Sequence, residues 1–251
     1  MGYNKEKTSG DLIMPFFYGF DITYLVLVLP CIILSLIASA KVKSTFNKYS
    51  QQISRRRLTG AQAAQQVLAA NGVHNVRIER VSGELTDHYD PRSNVIRLSD
   101  NVYNNPSTAA IGVACHEAGH AVQYAQSYAP IKLRAAIIPV TNIGSKLAMP
   151  LILLGLLFSY MGEGSFTFVY LGIGCFSLSL IFQLITLPVE FNASRRAIQA
   201  IESNGLLTDE ELSGAKKTLT AAAMTYVAAT AVSLAQLLRL LMIFGGRRND
   251  D

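Results

Sequence analysis

Residues 22–40 read ITYLVLVLPCIILSLIASA and contain no charged side chain. An α-helix of about 20 apolar residues, rising about 1.5 Å per residue, crosses the ~30 Å hydrocarbon core of a bilayer. The run therefore predicts a transmembrane helix. The residues before it lack the short, positively started pattern of a cleaved signal peptide, so we expect the helix to be retained. Pro30 lies in the middle of the run and is expected to kink it.

The composition of the whole chain also indicates a membrane protein. Of its 251 residues 50% are apolar and only 16% are charged, whereas ordinary soluble domains are about 25% charged. The net charge of +5 would fit a nucleic-acid-binding protein, but the basic residues lie beside apolar runs. That placement indicates membrane orientation and no nucleic-acid partner. Three scattered cysteines predict neither a disulfide framework nor a cysteine-based zinc site.

Three further apolar runs follow the first. The runs 147–161 and 166–189 are separated by the short turn 162–165 and predict a transmembrane hairpin. The last run, 219–244, is less clear because it contains Arg239. An ionisable residue within a span usually faces protein or water rather than lipid. The sequence therefore predicts three or four transmembrane helices.

The distribution of lysine and arginine orients these runs. Basic residues follow the first run, precede the second and follow the third, whereas the turn between the second and third has none. The positive-inside rule then places the N-terminus and the turn outside the cell. Arg247 and Arg248 fit that rule poorly if the last run crosses. The expected organisation is an extracytoplasmic segment 1–21, a transmembrane helix 22–40, a cytoplasmic segment 41–146, a transmembrane hairpin 147–189, a cytoplasmic segment 190–218, and an apolar helix with its tail at 219–251.

The cytoplasmic segment 41–146 is predicted to fold as a helix, a small sheet and a second helix. The stretch 59–70 predicts a helix capped by Thr59, and 73–81 and 95–98 predict two short strands. Ser107 is a good N-cap for a helix that runs to about residue 126. Because the strand 95–98 lies just before that helix, we expect it to bind a substrate peptide as an added strand.

The second of these helices contains the sequence His116-Glu117-Ala118-Gly119-His120. Residues at positions i and i+4 lie on one helix face, so both histidines can reach one metal ion. Zinc binds imidazole nitrogen, and in catalytic sites it retains a water whose pKa it brings close to neutral. Glu117 can take a proton from that water and give it to the leaving amine. Two of the four histidines of the chain fall in this motif, which indicates a zinc metallopeptidase.

A catalytic zinc site needs a third protein ligand, and no histidine follows His120. A downstream carboxylate must therefore serve, as in sites with two histidines and a glutamate. Glu190 stands out because it ends the third apolar run, where a carboxylate is costly unless it is paired or bound to metal. The alternative is an interfacial ion pair with Arg195 or Arg196. The other candidates are Glu163, Glu202, Asp209, Glu210 and Glu211.

Two supporting roles stay open at this point. A peptidase needs a donor for the oxyanion of the tetrahedral intermediate, and zinc-bound imidazoles usually hydrogen-bond an acceptor through the other ring nitrogen. Asn192 is a candidate for that acceptor. The candidate oxyanion donors are His88, Tyr226, Arg195 and Arg196.

The combined motifs resemble those of the bacterial membrane zinc metallopeptidases of the YugP type, which are distantly similar to HtpX-like and Ste24-like proteases. The resemblance is carried by HEAGH at 116–120 and LPVEFNASRRA at 187–197, with LTDHYDPR at 85–92 and AAAMTYVA at 221–228. It implies Zn²⁺ bound by His116, His120 and Glu190, with Glu117 as the catalytic base. It also implies a multi-pass protein of the bacterial cell membrane.

The sequence thus predicts a mainly α-helical membrane protein with a small α+β zincin-like metallopeptidase core. Its predicted function is zinc-dependent endopeptidase activity at the cytoplasmic side of the membrane, on protein or peptide substrates that include membrane-associated ones. An alternative is a metal-stabilised membrane scaffold or regulator that cuts nothing and does not need Glu117. A transporter is weakly supported because the apolar runs contain few ionisable residues. The sequence makes no prediction of oligomeric state.

Overall fold

The computed structural model describes residues 21–161 and 166–245 of the chain. It is mainly helical, with four long helices and one small sheet of three strands. The expected extracytoplasmic segment before Asp21, the turn 162–165 and the tail after residue 245 lie outside the described residues.

In the first half of the described chain two helices are followed by three strands and two further helices, and three long helices fill the second half. Helix α1 is Tyr24–Ser50, and its first turn, Tyr24–Val28, is π-helical. The remaining elements are α2 (Gly60–Ala70), β1 (Arg77–Val81), β2 (His88–Asp90), β3 (Val95–Ser99), α3 (Asp100–Tyr103), α4 (Thr108–Ala125), α5 (Ala129–Tyr160), α6 (Thr167–Ser203) and α7 (Asp209–Phe244).

The long helices extend beyond the apolar runs that predicted them. Helix α1 continues to Ser50, past the end of its run at residue 40, and α5 begins at Ala129, well before residue 147. Lysine, arginine and glutamine are good helix formers, so the charges that end an apolar run do not end the helix. All four long helices are long and apolar enough to cross a membrane, which makes the last run a fourth candidate span.

A π-helical turn precedes Pro30 in α1. The backbone N–H of Leu29 donates to the Tyr24 carbonyl, five residues back. Proline has no N–H and its ring crowds the preceding turn, and single π-helical turns of this kind absorb such irregularities. The helix thus has a wide turn directly before Pro30, and the kink expected at Pro30 stays a prediction.

The described chain forms two compact units. The helical unit comprises the chain up to Leu36, Ala136–Leu184 and the chain from Ala228, and the sheet unit comprises Ile37–Ala135 and Ile185–Val227. Each of the four long helices contributes residues to both units. The sheet unit therefore joins parts of the chain that are far apart in sequence.

Glycines bring α5 and α6 into close antiparallel contact in the helical unit. A Cβ placed on Gly155 would lie 2.6 Å from the backbone nitrogen of Val169, and one on Gly172 would lie 2.7 Å from the Ala148 carbonyl oxygen. Small residues at such crossings let membrane helices approach closely. A larger side chain at Gly155 or Gly172 would separate the pair.

Two polar contacts locate the end of α7 in the helical unit. Arg239 is 4% exposed, lies 3.4 Å from the Asp21 carboxylate and stands over the ring of Tyr24. The hydroxyl of Tyr170 donates to the carbonyl of Phe244 at 3.1 Å. The last residues of α7 therefore lie beside the first residues of α1 and of α6, which is the arrangement expected of a helix that crosses in full.

Strand β3 is the centre of the small sheet. It pairs in parallel with β1, from Arg77↔Val95 to Val81↔Ser99, and antiparallel with β2. Because both edges of β3 are hydrogen-bonded, it has no free edge for a substrate peptide, and that sequence-based expectation was wrong. Strand β2 was not predicted, since three residues are too few to show an alternating pattern.

Helix α4 lies in the core of the sheet unit. Ser107 caps it by accepting a hydrogen bond from the Ala110 N–H at 3.2 Å. A Cβ on Gly119 would lie 2.8 Å from the Ala193 carbonyl oxygen, and one on Gly112 would lie 3.2 Å from the Ala215 Cβ. The small residues of α4 thus allow direct contact with α6 and α7, and this contact brings the HExxH motif next to Glu190.

The position of Arg239 generates a prediction about topology. In a chain without native cysteines, Ile22→Cys and Gly245→Cys should both react with a membrane-impermeant maleimide from the same face of the membrane. The control Ser213→Cys, in the segment that the basic residues assign to the cytoplasm, should react only after permeabilisation. Labelling of Ile22→Cys and Gly245→Cys from opposite faces would show that α7 does not cross.

Candidate metal centre

The two histidines of the motif present their imidazoles on one face of α4. His116 and His120 are separated by one helical turn, and their ring centroids lie 4.7 Å apart at an edge-on angle of 85°. Their Nε2 atoms face the same carboxylate on α6, at 3.2 Å and 3.5 Å from Oε2 of Glu190. One donor atom from each of the three residues lies within 4.8 Å of the other two.

Glu190 is 2% exposed, so its carboxylate needs compensation for lost hydration. Its two oxygens have different partners. Oε2 faces the histidines, while Oε1 accepts a hydrogen bond from the Arg134 guanidinium at 2.9 Å. Tyr226 lies in the same cavity wall as this carboxylate. Arg134 therefore leaves one oxygen of Glu190 to point towards the histidines.

The second ring nitrogen of each histidine is held by a neighbour. Nδ1 of His116 lies 3.1 Å from the Ser194 hydroxyl, and Nδ1 of His120 lies 3.0 Å from the Gln123 carbonyl oxygen. If each Nδ1–H donates to its neighbour, both Nε2 lone pairs are free for a metal. Carbonyl and hydroxyl partners of this kind orient metal-binding imidazoles in many proteins.

Gln123 links the two helices that carry the ligands. Its side chain is fully buried, and its amide nitrogen donates to the Val189 carbonyl and to the Asn192 side-chain oxygen, both at 2.9 Å. Arg196 donates to the same oxygen of Asn192 at 2.7 Å. Asn192, which the sequence suggested as a direct partner of a histidine, thus lies one residue further away and holds Gln123.

Burial and nearby negative charge act in opposite directions on the pKa of His120. Burial lowers the pKa of His120, but the hydrogen bond to Glu190 and the charge of Glu117 outweigh it, so that the pKa lies above its ordinary value. The surroundings of His120 therefore favour a positive charge at this position.

The donor set fits zinc. Two imidazole nitrogens and one carboxylate oxygen, all nearly buried, form the ligand combination of many catalytic zinc sites. The second-layer contacts of Ser194, Gln123 and Arg134 orient each ligand. His116, His120 and Glu190 are accordingly the residues that would hold the ion.

Two of the three candidate ligands line a cavity of about 420 Å³ in the sheet unit. His116 and Glu190 lie in its wall with Glu117, Asp87 and Tyr226. Much of the remaining wall is apolar, with contributions from Val42, Phe46, Leu85, Val113 and Leu219. The cavity can therefore admit a side chain or a segment of peptide next to the metal ligands.

Glu117 faces this cavity without a partner. It is 8% exposed, and among the described residues none makes a hydrogen bond or an ion pair with its carboxylate. Asp87 lies in the same wall, where its two oxygens accept hydrogen bonds from the backbone and the hydroxyl of Ser99 at 2.7 Å and 3.0 Å. Burial raises the pKa of Asp87, Ser99 opposes that effect, and the charge of Glu117 adds to it.

The candidate oxyanion donors differ in whether they line the cavity. Tyr226 lies in the wall of the cavity, whereas His88, Arg195 and Arg196 are absent from the described residues that line it. His88 is exposed on β2 with its Nδ1 2.8 Å from the Thr86 carbonyl. Arg195 is exposed and lines a different groove.

Sequence reasoning missed four residues of this site. Ser194 follows Glu190 by four residues and Gln123 follows His120 by three, so helical spacing could have found both. Arg134 was counted only as a charge that orients the membrane spans. Asp87 gave no local signal beyond its place in the segment 85–92.

Comparison with known proteins agrees with this geometry. Residues 24–245 match a family described as "Putative neutral zinc metallopeptidase". The chain belongs to this family of zinc metallopeptidases. It is 50% identical over 218 residues to the "Putative membrane protease YugP" of Bacillus subtilis (strain 168), a match that covers 87% of this chain and 95% of that protein. No solved structure matches the chain.

The relation to a zinc metallopeptidase family makes the metal content of Glu190 variants informative. Protein purified in detergent should hold one equivalent of zinc, and Glu190→Ala should lose it. The loss of affinity should exceed the roughly 10- to 100-fold that removal of a second-layer partner costs. Metal analysis measures this, with Glu202→Ala, an exposed glutamate of the same helix, as the control. Full zinc in Glu190→Ala would remove it from the ligand set.

The Gln123 contacts predict a second, smaller effect. Gln123→Met keeps the volume of the side chain and removes its hydrogen bonds to His120 and to α6. Zinc affinity, measured by competition with a chelator, should fall about 10- to 100-fold while the zinc stoichiometry at saturation is kept. Gln65→Met, at an exposed position of α2, is the matched control. An unchanged affinity would mean that Gln123 does not orient His120.

Proposed function

We propose that the protein is a membrane-embedded zinc-dependent endopeptidase with Glu117 as its general base. The observation that carries the proposal is an unpaired, nearly buried carboxylate beside a three-residue metal site, in the wall of one cavity. The small sheet followed by the HExxH helix supports the view that the sheet unit is a zincin-like core. The family and the relative named above support the same reaction class.

The burial of Glu117 favours an enzyme over a scaffold. A metal site held by His116, His120 and Glu190 is complete without Glu117. The Glu117 carboxylate faces the cavity with no hydrogen-bond donor among the described residues, and a purely structural site would gain nothing from it. A proton acceptor for the attacking water needs such a group, free and adjacent to the metal.

The chain's own residues divide the reaction between them. When bound, zinc supplies Lewis acidity, which polarises the scissile carbonyl and makes a water nucleophile available near neutral pH. Glu117 accepts the proton of the attacking water and passes it to the leaving amine. His116 and His120 keep their orientation through Ser194 and Gln123, and Arg134 keeps one oxygen of Glu190 directed at the histidines.

Tyr226 is the proposed donor to the oxyanion. Its side chain lies in the cavity wall beside Glu190, and a phenolic hydroxyl is a competent donor to developing negative charge. The apolar remainder of the wall favours substrates with an apolar side chain next to the cleaved bond. Such segments are common in proteins at or within the membrane, which agrees with four candidate spans.

The proposed location is the bacterial cell membrane, with several crossings and the active site on the cytoplasmic side. The support for the orientation is the basic residues between the apolar runs, because positively charged loops stay in the cytoplasm. The relative from Bacillus subtilis supports the bacterial membrane.

Substitution of the base separates the proposed enzyme from a scaffold. Glu117→Gln should keep one equivalent of zinc and lower kcat by about 100- to 10,000-fold, because the amide cannot accept the proton. Cleavage of a quenched fluorescent peptide library by the reconstituted protein measures the change. Glu84→Gln, an exposed glutamate of the sheet unit, should cleave as the wild type does.

Two outcomes of this assay would contradict the proposal. Glu117→Gln with wild-type cleavage would exclude Glu117 as the base, and a wild type that binds zinc but cleaves nothing would favour the scaffold. The same assay applied to Tyr226→Phe tests the oxyanion donor, because an unchanged kcat would exclude its hydroxyl.

A further inference from the structure

A second concave surface lies in the sheet unit, outside the metal site. It is a groove of about 270 Å³ formed by α6 and α7. The apolar part of its lining includes Phe191 and Met224, which are 44% and 48% exposed. The basic part includes Arg195 and Lys216, and none of the described residues that line the groove is acidic.

The apolar end and the basic end of the groove follow one another along each of the two helices. On α6, Phe191 follows the apolar run 166–189, and Arg195 lies about 6 Å further along the helix. On α7, Lys216 precedes the apolar run 219–244, and Met224 lies about 12 Å further into it. The apolar end thus continues the two apolar runs, and the basic end lies beyond it on both helices.

The basic end has unsatisfied positive charge. Among the described residues none makes a hydrogen bond or ion pair with the Arg195 guanidinium, which is exposed. Lys216 is partly neutralised by Glu202 at 2.8 Å, with 49% of its side chain exposed. Lys217, the neighbouring cation, stands instead over the ring of Tyr49. The groove therefore matches a ligand with about one negative charge and an apolar tail.

We propose that the groove between α6 and α7 binds an anionic glycerophospholipid, with its phosphate at Arg195 and Lys216 and its acyl chain along Phe191 and Met224. A phosphodiester supplies the single negative charge, and guanidinium is the side chain best suited to bind phosphate oxygens. Basic residues close to the cytoplasmic end of a span attract anionic lipids in the same way.

The site adjoins the metal centre through its wall. Ser194, Leu219 and Ala223 line both the groove and the cavity that holds the candidate ligands. Ser194 is also the residue whose hydroxyl lies 3.1 Å from Nδ1 of His116. A bound lipid would thus lie against the residues that support one ligand, although its binding does not require peptidase activity.

Lipid retention by the full-length protein tests the proposal. Protein in micelles that contain equal phosphatidylglycerol and phosphatidylcholine is analysed by native mass spectrometry. The wild type should retain phosphatidylglycerol preferentially, and the double variant Arg195→Gln/Lys216→Gln should retain about tenfold less. Lys217→Gln removes one neighbouring charge outside the groove and should behave as the wild type does. Zinc content and helical circular dichroism of each variant show that it is folded.

Three different outcomes would contradict the proposal. Equal retention of the two lipids by the wild type would show that charge does not select the occupant. An effect of Lys217→Gln as large as that of the double variant would show that general surface charge, and not the groove, retains the lipid. Met224→Ser separates the lipid from free phosphate: it should also lower retention, and if it does not, the groove binds phosphate alone and the lipid assignment is wrong.

Discussion

The buried carboxylate of Glu190 is the contact on which the sheet unit depends. At 2% exposure its charge has lost most of its hydration, which costs several kcal/mol unless nearby groups replace it. The replacements come from two other helices: two imidazoles from α4 and the guanidinium of Arg134 from α5. One carboxylate thus links three helices, and displacement of any of them would reduce its compensation.

That arrangement requires helices that approach more closely than side chains of ordinary size allow. Gly119 lies inside the HExxH motif and permits contact between α4 and the Ala193 backbone, and Gly112 does the same towards Ala215 on α7. Since Gln123 can bridge α4 and α6 only at this separation, the small residues and the hydrogen bonds to the histidines depend on each other. The packing of the core and the geometry of the metal site therefore depend on the same close approach of the helices.

The sequence predicted the parts of the site that depend on local spacing or on the free-energy cost of placing a charge beside an apolar run. His116 and His120 follow from the periodicity of a helix, and Glu190 follows from the expense of a carboxylate at the end of an apolar run. Arg134 was missed because it lies beside an apolar run, where a basic residue is already expected from the positive-inside rule. The same residue can both orient a span and bind Glu190. Asp87 was missed because only the pairing of β2 with β3 brings it into the cavity wall. The helix ends were misplaced for a different reason, since charge limits an apolar run without ending a helix.

The buried charges of the described chain also differ in how they are compensated. Arg239 lies against Asp21, and Glu211 accepts hydrogen bonds from the backbone of Arg55 and of Thr208 at 2.7 Å and 2.9 Å. Glu117 is buried to a similar degree, yet among the described residues it has no such partner. Its side chain faces the cavity instead, so no contact with the described residues accounts for its charge. A carboxylate free of other partners is what the proposed general base requires, because it must accept the proton of the attacking water.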